Sequence, residues 1–270
     1  MDIVVLGGEG TYCDLVAKRY IKENNLIDAH IVYEQSILLM AKRMLSADLG
    51  VFPAENALNG FVMDTIFGLV ENKFVIIDQE KIDVDFAFVT NADDIKNVKN
   101  IFTQFKVYGQ CSKFIAENNF VSTTTQSNTE TLQKIRESDK SFGAIIPMHL
   151  LNENEFHLTK THIADNLNNQ TRFFILKNNR DIREKNGEMF SMSMSSKNEF
   201  DIKNVVDILY QYGAKISAVM AQPKKDKLFS NIDFFECEIE NLSQCKPNEM
   251  FDKLQKNGYK INQYGFYKKI

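Results

Sequence analysis

The stretch Ile3-Val4-Val5-Leu6-Gly7-Gly8-Glu9-Gly10-Thr11-Tyr12 decides how this chain is read. An apolar run suited to a buried strand passes straight into a glycine turn, and a helix-like pattern over about 14–24 follows. Strand, turn and helix in that order open an α/β sheet. The alternation continues outward. Ile37, Met40, Ala41, Met44 and Leu45 recur at the spacing of an amphipathic helix, and 49–52 is a short strand ended by Pro53. Val62, Thr65, Ile66 and Leu69 form a further helical stripe before a strand at 74–77. Short turns between such elements predict parallel strands.

After Ile77 the period changes. Ile82, Val84, Phe86 and Phe88 alternate with Asp83, Asp85 and Ala87, which predicts one strand with a wet face. Further α/β elements are expected near Phe102, at 112–117, 129–136 and 143–146, and a last apolar strand at 172–176. The polar run 177–187 cannot build a core, so a domain boundary is placed there. The remainder reads strand 190–194, helix (Ile202, Val205, Val206, Leu209), strands 215–220 and 232–239, helix 249–255 and strand 264–267. That is the βαββαβ order of a ferredoxin-like unit, with one sheet face under two helices and the other expected to be free for a partner or ligand.

Composition excludes several classes of function. A net charge of −4 with interspersed signs offers no nucleic-acid face. Lys224, Lys225 and Lys227 read as a solvated turn. Asp2 and the absence of a basic segment before Ile3 argue against a signal peptide, and no apolar run has the length of a membrane span. The four cysteines form no CxxC pair and the four histidines no ligand spacing, so a reducing cytoplasm and no structural metal are expected.

Three segments carry possible chemistry. In the glycine turn, a helix N-terminus offers N–H groups and a positive dipole end to an anion. It is neither a dinucleotide fingerprint, which would need glycine at Cys13, nor a P-loop, which would need GK[ST]; an ordinary tight turn is equally compatible. Glu55-Asn56 follows a short strand, where α/β proteins place ligand contacts. In Thr171-Arg172-Phe173, a hydroxyl that can donate or accept precedes a guanidinium that can grip a carboxylate, or simply lie at a strand start.

Taken in order, these segments resemble the prephenate dehydratases. Leu6-Gly7-Gly8-Glu9-Gly10-Thr11-Tyr12 is similar to LGPEGTYS, and Gly50-Val51-Phe52-Pro53-Ala54-Glu55-Asn56 with Gly60 to GVVPIENS..G. Gln110-Cys111 sits at the end of HPQALAQC, and Asp165, Asn169 and Thr171-Arg172-Phe173 match D…N.TRF. The resemblance continues into a C-terminal ACT domain. It implies an α/β chain with a two-lobed, periplasmic-binding-protein-like catalytic domain at 1–178 (lobes 1–78 with 162–178, and 79–161) and an ACT domain at 188–270. It implies decarboxylating dehydration of prephenate to phenylpyruvate in phenylalanine biosynthesis, without metal or cofactor, by a cytoplasmic homodimer or dimer of dimers joined through ACT domains. Carried over, Thr171, Asn56 and Glu55 are catalytic, with Thr171 serving the leaving hydroxyl. Glu9, Gly10, Thr11, Ser127, Arg172 and Phe173 bind substrate; Arg172 could instead brace the cleft internally. Lobe closure is expected to bring Thr171 towards Asn56.

The chain also departs from the pattern. Gly8, Cys13 and Ala57 replace proline, serine and serine, and Thr103-Gln104-Phe105-Lys106 stands where SHPQ is usual. The glutamine of that motif reaches towards the substrate; Lys106 either replaces it with a charge or points to solvent. In the ACT half, Asn198-Glu199-Phe200-Asp201-Ile202 replaces the P-G-A-L turn and Met220-Ala221-Gln222-Pro223 replaces ESRP, leaving Gln222 and Pro223 as an eroded regulatory motif. A degenerate homologue that binds or regulates, and an arogenate dehydratase, are the alternative readings.

Overall fold

A computed structural model describes the whole chain except residues 153, 179–186, 197–200, 224–230 and 240–245. The chain begins β1 (Asp2–Leu6), α1 (Tyr12–Glu23), β2 (His30–Glu34), α2 (Ile37–Met44), β3 (Leu49–Asn56), β4 (Gly60–Phe61), α3 (Met63–Asn72), β5 (Val75–Asp83). Next come β6 (Phe86–Thr90), β7 (Asn100–Gln104), α4 (Phe105–Tyr108), α5 (Ser112–Glu117), β8 (Val121–Thr125), α6 (Asn128–Glu137), β9 (Phe142–Pro147), β10 (Leu158–Lys160). It ends with β11 (Gln170–Lys177), β12 (Met189–Ser196), α7 (Ile202–Gln211), β13 (Ala214–Pro223), β14 (Asn231–Ile239), α8 (Pro247–Lys256) and β15 (Tyr259–Tyr267).

Three sheets result. The first is ordered β2-β1-β3-β11-β5 and the second β10-β6-β9-β7-β8. β1 is parallel to both neighbours and covered on both faces: Ile3 and Val5 pack against Val16, Ala17 and Tyr20 of α1, and Val4 packs against Met40 and Met44 of α2. The chain leaves the first sheet at 84–85 and returns over 161–169, so β11 enters antiparallel between β3 and β5. The third sheet, β13-β14-β12-β15, carries α7 and α8 on one face, where Phe190, Met192 and Met194 meet Val205, Leu209, Met250 and Leu254.

Four expectations need correction. β3 does not stop at Pro53 but runs to Asn56, because Pro53 lies where the β3–β11 register shifts and its missing N–H breaks no regular pairing. β5 continues to Asp83, so residues 79–83 belong with the first sheet and not with the second lobe. The alternating run Ile82 to Phe88 is split between β5 and β6, and β6 is buried on both faces. Finally, the helix-free face of the C-terminal sheet is not free: Met189, Phe234, Tyr264 and Tyr267 join Phe74, Ile76, Phe174 and Leu176 of the first sheet in one core. The polar run 179–186 lies outside the described residues.

That docking depends on Gly265. Its φ of +120° suits glycine, and a Cβ there would lie 2.2 Å from the Ile76 carbonyl oxygen of β5. Gly265→Ala must therefore push β15 away from β5. A loss of at least about 2 kcal/mol in urea unfolding is expected, since the clash is with backbone and cannot be relieved by a rotamer change.

Candidate active site

β11 alternates, and that sorts its residues. Thr171 and Phe173 point to the α1 side of the first sheet, while Arg172 and Phe174 point to the C-terminal sheet. Phe173 is 1% exposed among Ile3, Val5, Val16 and Ile175, so it is core and not a substrate contact. Thr171 pairs with Asn56 across the β11–β3 ladder. The two are neighbours within one sheet, and no lobe closure is needed to bring them together.

A polar chain converges on Thr171. Asn56 Nδ2 donates to Thr171 Oγ1 at 3.0 Å, to the Gln170 carbonyl at 3.1 Å and to Asn169 Oδ1 at 2.7 Å. Asn56 Oδ1 accepts from the Leu58 amide and from Asn59, which fixes the orientation of the amide. Asn169, 3% exposed, passes the chain to the other lobe by donating to Gln110 Oε1 at 2.8 Å. Asp165 sets that residue: its amide donates to the Gln110 carbonyl, and its carboxylate accepts from Ser112 and from the Lys113 amide at the start of α5. The D…N.T spacing is thereby explained as anchor, bridge and hydroxyl. Thr171 accepts from Asn56, and its own proton has no acceptor among the described residues. It is a half-buried hydroxyl poised to donate.

Glu55 and Arg172 lie on the opposite side of the sheet, which corrects their assignment to catalysis and substrate binding. Arg172 Nη1 donates to Glu236 Oε1 at 2.7 Å and to Gln79 Oε1 at 3.2 Å. Nη2 donates to Glu236 Oε2 and lies against Glu55 Oε2, both at 2.9 Å. The guanidinium sits over the Phe61 and Phe174 rings. Burial works against its charge, but Glu236 and Glu55 outweigh that and move its pKa upward. These residues face a cavity of about 280 Å³ between the first and third sheets. Arg172 is thus paired internally between the first and third sheets, on the side away from the cleft.

The glycine turn is partly occupied by the chain itself. Thr11 caps α1, accepting from the Asp14 amide and donating to the Gly8 carbonyl at 2.8 Å. The Gly10 amide donates at 2.9 Å to Asp14, a buried carboxylate also held by Tyr33 and Lys18. The Glu9 side chain is exposed and pairs with Lys18. Ser127 caps α6 by accepting from the Glu130 amide. The second lobe closes over the turn: Thr129 donates to the Glu9 carbonyl at 2.8 Å, and Leu150 packs near Gly10, whose φ of +78° needs glycine. Lys106, in α4, lies close enough to Cys13 for its charge to act on that thiol, although burial dominates and pushes the thiol up to about 12. No ion-pair partner holds Lys106 among the described residues.

Sequence reasoning left Gln110 and Asn169 without roles although both lay in the matched motifs. It gave no individual role to Tyr12, His149 or Glu236. Tyr12 donates to the Asp85 carbonyl at 2.6 Å across the crossing and packs at a tilt against His149, with ring centroids 4.9 Å apart. Gln222 is buried with its amide nitrogen unpartnered among the described residues; Pro223 pairs with Asn231 in the β13–β14 ladder, and 198–200 lie outside the described residues. The described residues include no group of three His, Cys, Asp or Glu placed to hold a metal, and no helix long and apolar enough to cross a membrane.

His149 makes the lobe contact pH-sensitive. A carbonyl can only accept, so Nε2 donates to the Gly10 carbonyl at 3.2 Å and Nδ1 is left bare and buried. Burial depresses the pKa of the ring, the Gly10 hydrogen bond opposing it. The unfolded chain takes up this proton near pH ~6.5 and the folded chain only at lower pH, so this contribution is complete above about 6.5 and declines on acidification. His149→Gln should flatten the acid side of the stability–pH curve, measured by denaturant unfolding over about pH 5–7.

The family model for prephenate dehydratase matches residues 3–181. A bifunctional chorismate mutase/prephenate dehydratase of Aquifex aeolicus is 23% identical over 194 residues, which cover 71% of this chain and 53% of that protein. The chain thus spans about half the length of that relative. A prephenate dehydratase of Methanocaldococcus jannaschii is 23% identical over 276 residues, covering 96% of this chain and 95% of the other. The prephenate dehydratase crystal structure from Staphylococcus aureus shares the fold, with a TM-score of 0.80 at 21% identity over 99% of this chain and 100% of that one. With two thirds of its length matched by the family model, the chain belongs to the prephenate dehydratase family.

Proposed function

We propose that the chain is a prephenate dehydratase that converts the prephenate dianion and one proton to phenylpyruvate, carbon dioxide and water. The observation that carries this reading is the polar chain Gln110–Asn169–Asn56–Thr171, which ends in a hydroxyl whose proton is free to donate. As the ring C–O bond breaks, the pair released by decarboxylation enters the ring, and negative charge collects on the departing oxygen. A donor already placed there stabilises that charge without reorganising. Accepting from Asn56 polarises the Thr171 hydroxyl for this purpose. A threonine hydroxyl is too weak an acid to give up its proton alone, so Thr171 relays one from water while Asn56 keeps it oriented. Aromatisation supplies the driving force, leaving the protein to hold and align the substrate.

A dianion also needs positive charge. Arg172 is committed to two carboxylates, whereas Lys106 has no ion-pair partner among the described residues and its charge acts on Cys13 at the start of α1. Lys106 and the Gly8 and Glu9 amides are the carboxylate-binding groups in this reading. The C-terminal unit is read as an ACT-type domain that joins two copies. β13 is a sheet edge, and exposed Ile202, Val206, Tyr210 and Val219 lie on it and on α7. A degenerate homologue that binds without turnover is disfavoured by the intact polar chain.

Ultraviolet assay of purified protein with prephenate, and with arogenate alongside, tests the reaction and chooses between the two substrates; no product from either overturns it. Thr171→Ala should lower kcat by roughly 10²–10⁴ with a smaller change in KM, and Thr171→Ser should recover part of it. Near wild-type turnover by Thr171→Ala would remove the hydroxyl from the mechanism. Lys106→Ala should raise KM roughly tenfold with kcat less affected, the loss of one charge-assisted hydrogen bond. An unchanged KM would assign Lys106 to the solvent.

A further inference from the structure

We infer that Glu236, from the C-terminal sheet, is a positioning residue for the reaction: it holds Arg172, and through Arg172 the end of β11 that presents Thr171. The inference rests on the dehydratase reading of Thr171 given above. Glu236 is 2% exposed and grips the guanidinium with both oxygens, at 2.7 and 2.9 Å. It is itself held by Tyr267, whose hydroxyl donates to Oε1 at 2.7 Å; Tyr267 in turn shares a hydrogen bond with Ser191 at 2.6 Å. Burial, reinforced by the Glu236 charge, keeps the Tyr267 phenol protonated, so it remains a donor. The carboxylate is thus fixed from its own domain before it meets Arg172.

The need for such a hold arises in β11. The β3–β11 register shifts between Arg172 and Phe173, and the β3 residue opposite Phe173 is Pro53, which has no N–H to give. The ladder to β3 is thus interrupted one residue away from Thr171, while that to β5 runs unbroken from Gln170 to Ile175. On the interrupted side, side chains add to the backbone support, Asn56 on the cleft side and Arg172 on the other. The second partner of Arg172, Glu55, cannot replace Glu236: it lies on β3 beside the same irregularity, and its side chain is 37% exposed. Among the described residues, Glu236 is the acid that ties Arg172 to a separate, packed sheet.

The test uses the full chain with Glu236→Gln, which keeps shape and one acceptor, and with the pair Arg172→Met/Glu236→Leu, which replaces the ion pair by apolar groups and keeps the sheets docked. In both, kcat for phenylpyruvate formation should fall roughly tenfold to a hundredfold, the usual cost of losing a residue that orients a reacting group, while KM changes little. Combining Glu236→Gln with Thr171→Ser should lower kcat by less than the product of the two separate losses, because both act on one hydroxyl. Backbone amides over 170–173 should exchange with deuterium about tenfold faster, with those of β1 and β7 unchanged. A purely structural role would leave kcat of the folded variants within about twofold of wild type, and that result overturns the inference. Should wild-type protein form no phenylpyruvate, the reaction reading is what fails. Amide exchange then decides by itself, and unchanged exchange over 170–173 in both variants refutes the positioning role.

Discussion

The structure depends on one buried guanidinium held by two acids from different domains. Arg172 joins Glu55 of β3, Gln79 of β5 and Glu236 of β14 while stacked on Phe61 and Phe174. Removing these charges from water costs several kcal/mol per ion, by rough estimate, and the cost is recovered only where geometry is good and other hydrogen bonds are satisfied. Bidentate pairing and the Tyr267 hydroxyl meet that condition for Glu236. Nε is the exception, buried without a partner among the described residues. Such a cluster adds little net stability over an apolar one. It does select a single register between the catalytic sheet and the C-terminal sheet, because any slip would leave a charge unpaired.

From that strand the chemistry faces the other way. Because β residues alternate, the clamp at 172 and the hydroxyl at 171 share a backbone but not an environment. One side is charged and faces the C-terminal sheet across a cavity; the other opens towards the second lobe through Asn56, Asn169 and Gln110. The Asn169–Gln110 bond links Thr171 to the second lobe. The Arg172–Glu236 pair links the same strand to the C-terminal sheet. The two links reach one strand from opposite faces of one sheet.

The glycine turn illustrates how a motif can be half-filled by its own chain. Asp14 occupies the helix end, accepting from the Gly10 amide, and so removes one of the donors that an incoming carboxylate would use. The open amides lie earlier, at Gly8 and Glu9, where a Cβ on Gly8 would meet nothing within 4 Å. Lys106 is the positive charge acting on this helix start, beside the partial charge of the helix dipole.

The order of strands and helices was legible in the sequence because burial imposes a period: Ile3 to Leu6, the Ile37–Leu45 stripe and Val205 to Leu209 each reveal their element without reference to anything distant. Thr171 and Asn56 were legible as well, through the motifs that carry them. Sidedness was not. Glu55 beside Asn56, and Arg172 beside Thr171, read as one site because they are adjacent in the chain, yet a strand sends neighbours to opposite faces, and only the sheet tells which face meets which lobe. Glu236 left no signal, since an acid on alternate positions of Phe234-Phe235-Glu236-Cys237-Glu238 reads as a wet face. The first sheet makes that face dry. The local patterns determined which segments fold and which hydroxyl is offered; the packing of one sheet against another, set by contacts some sixty residues apart such as Arg172–Glu236, decided which charges are buried and which are left for a ligand.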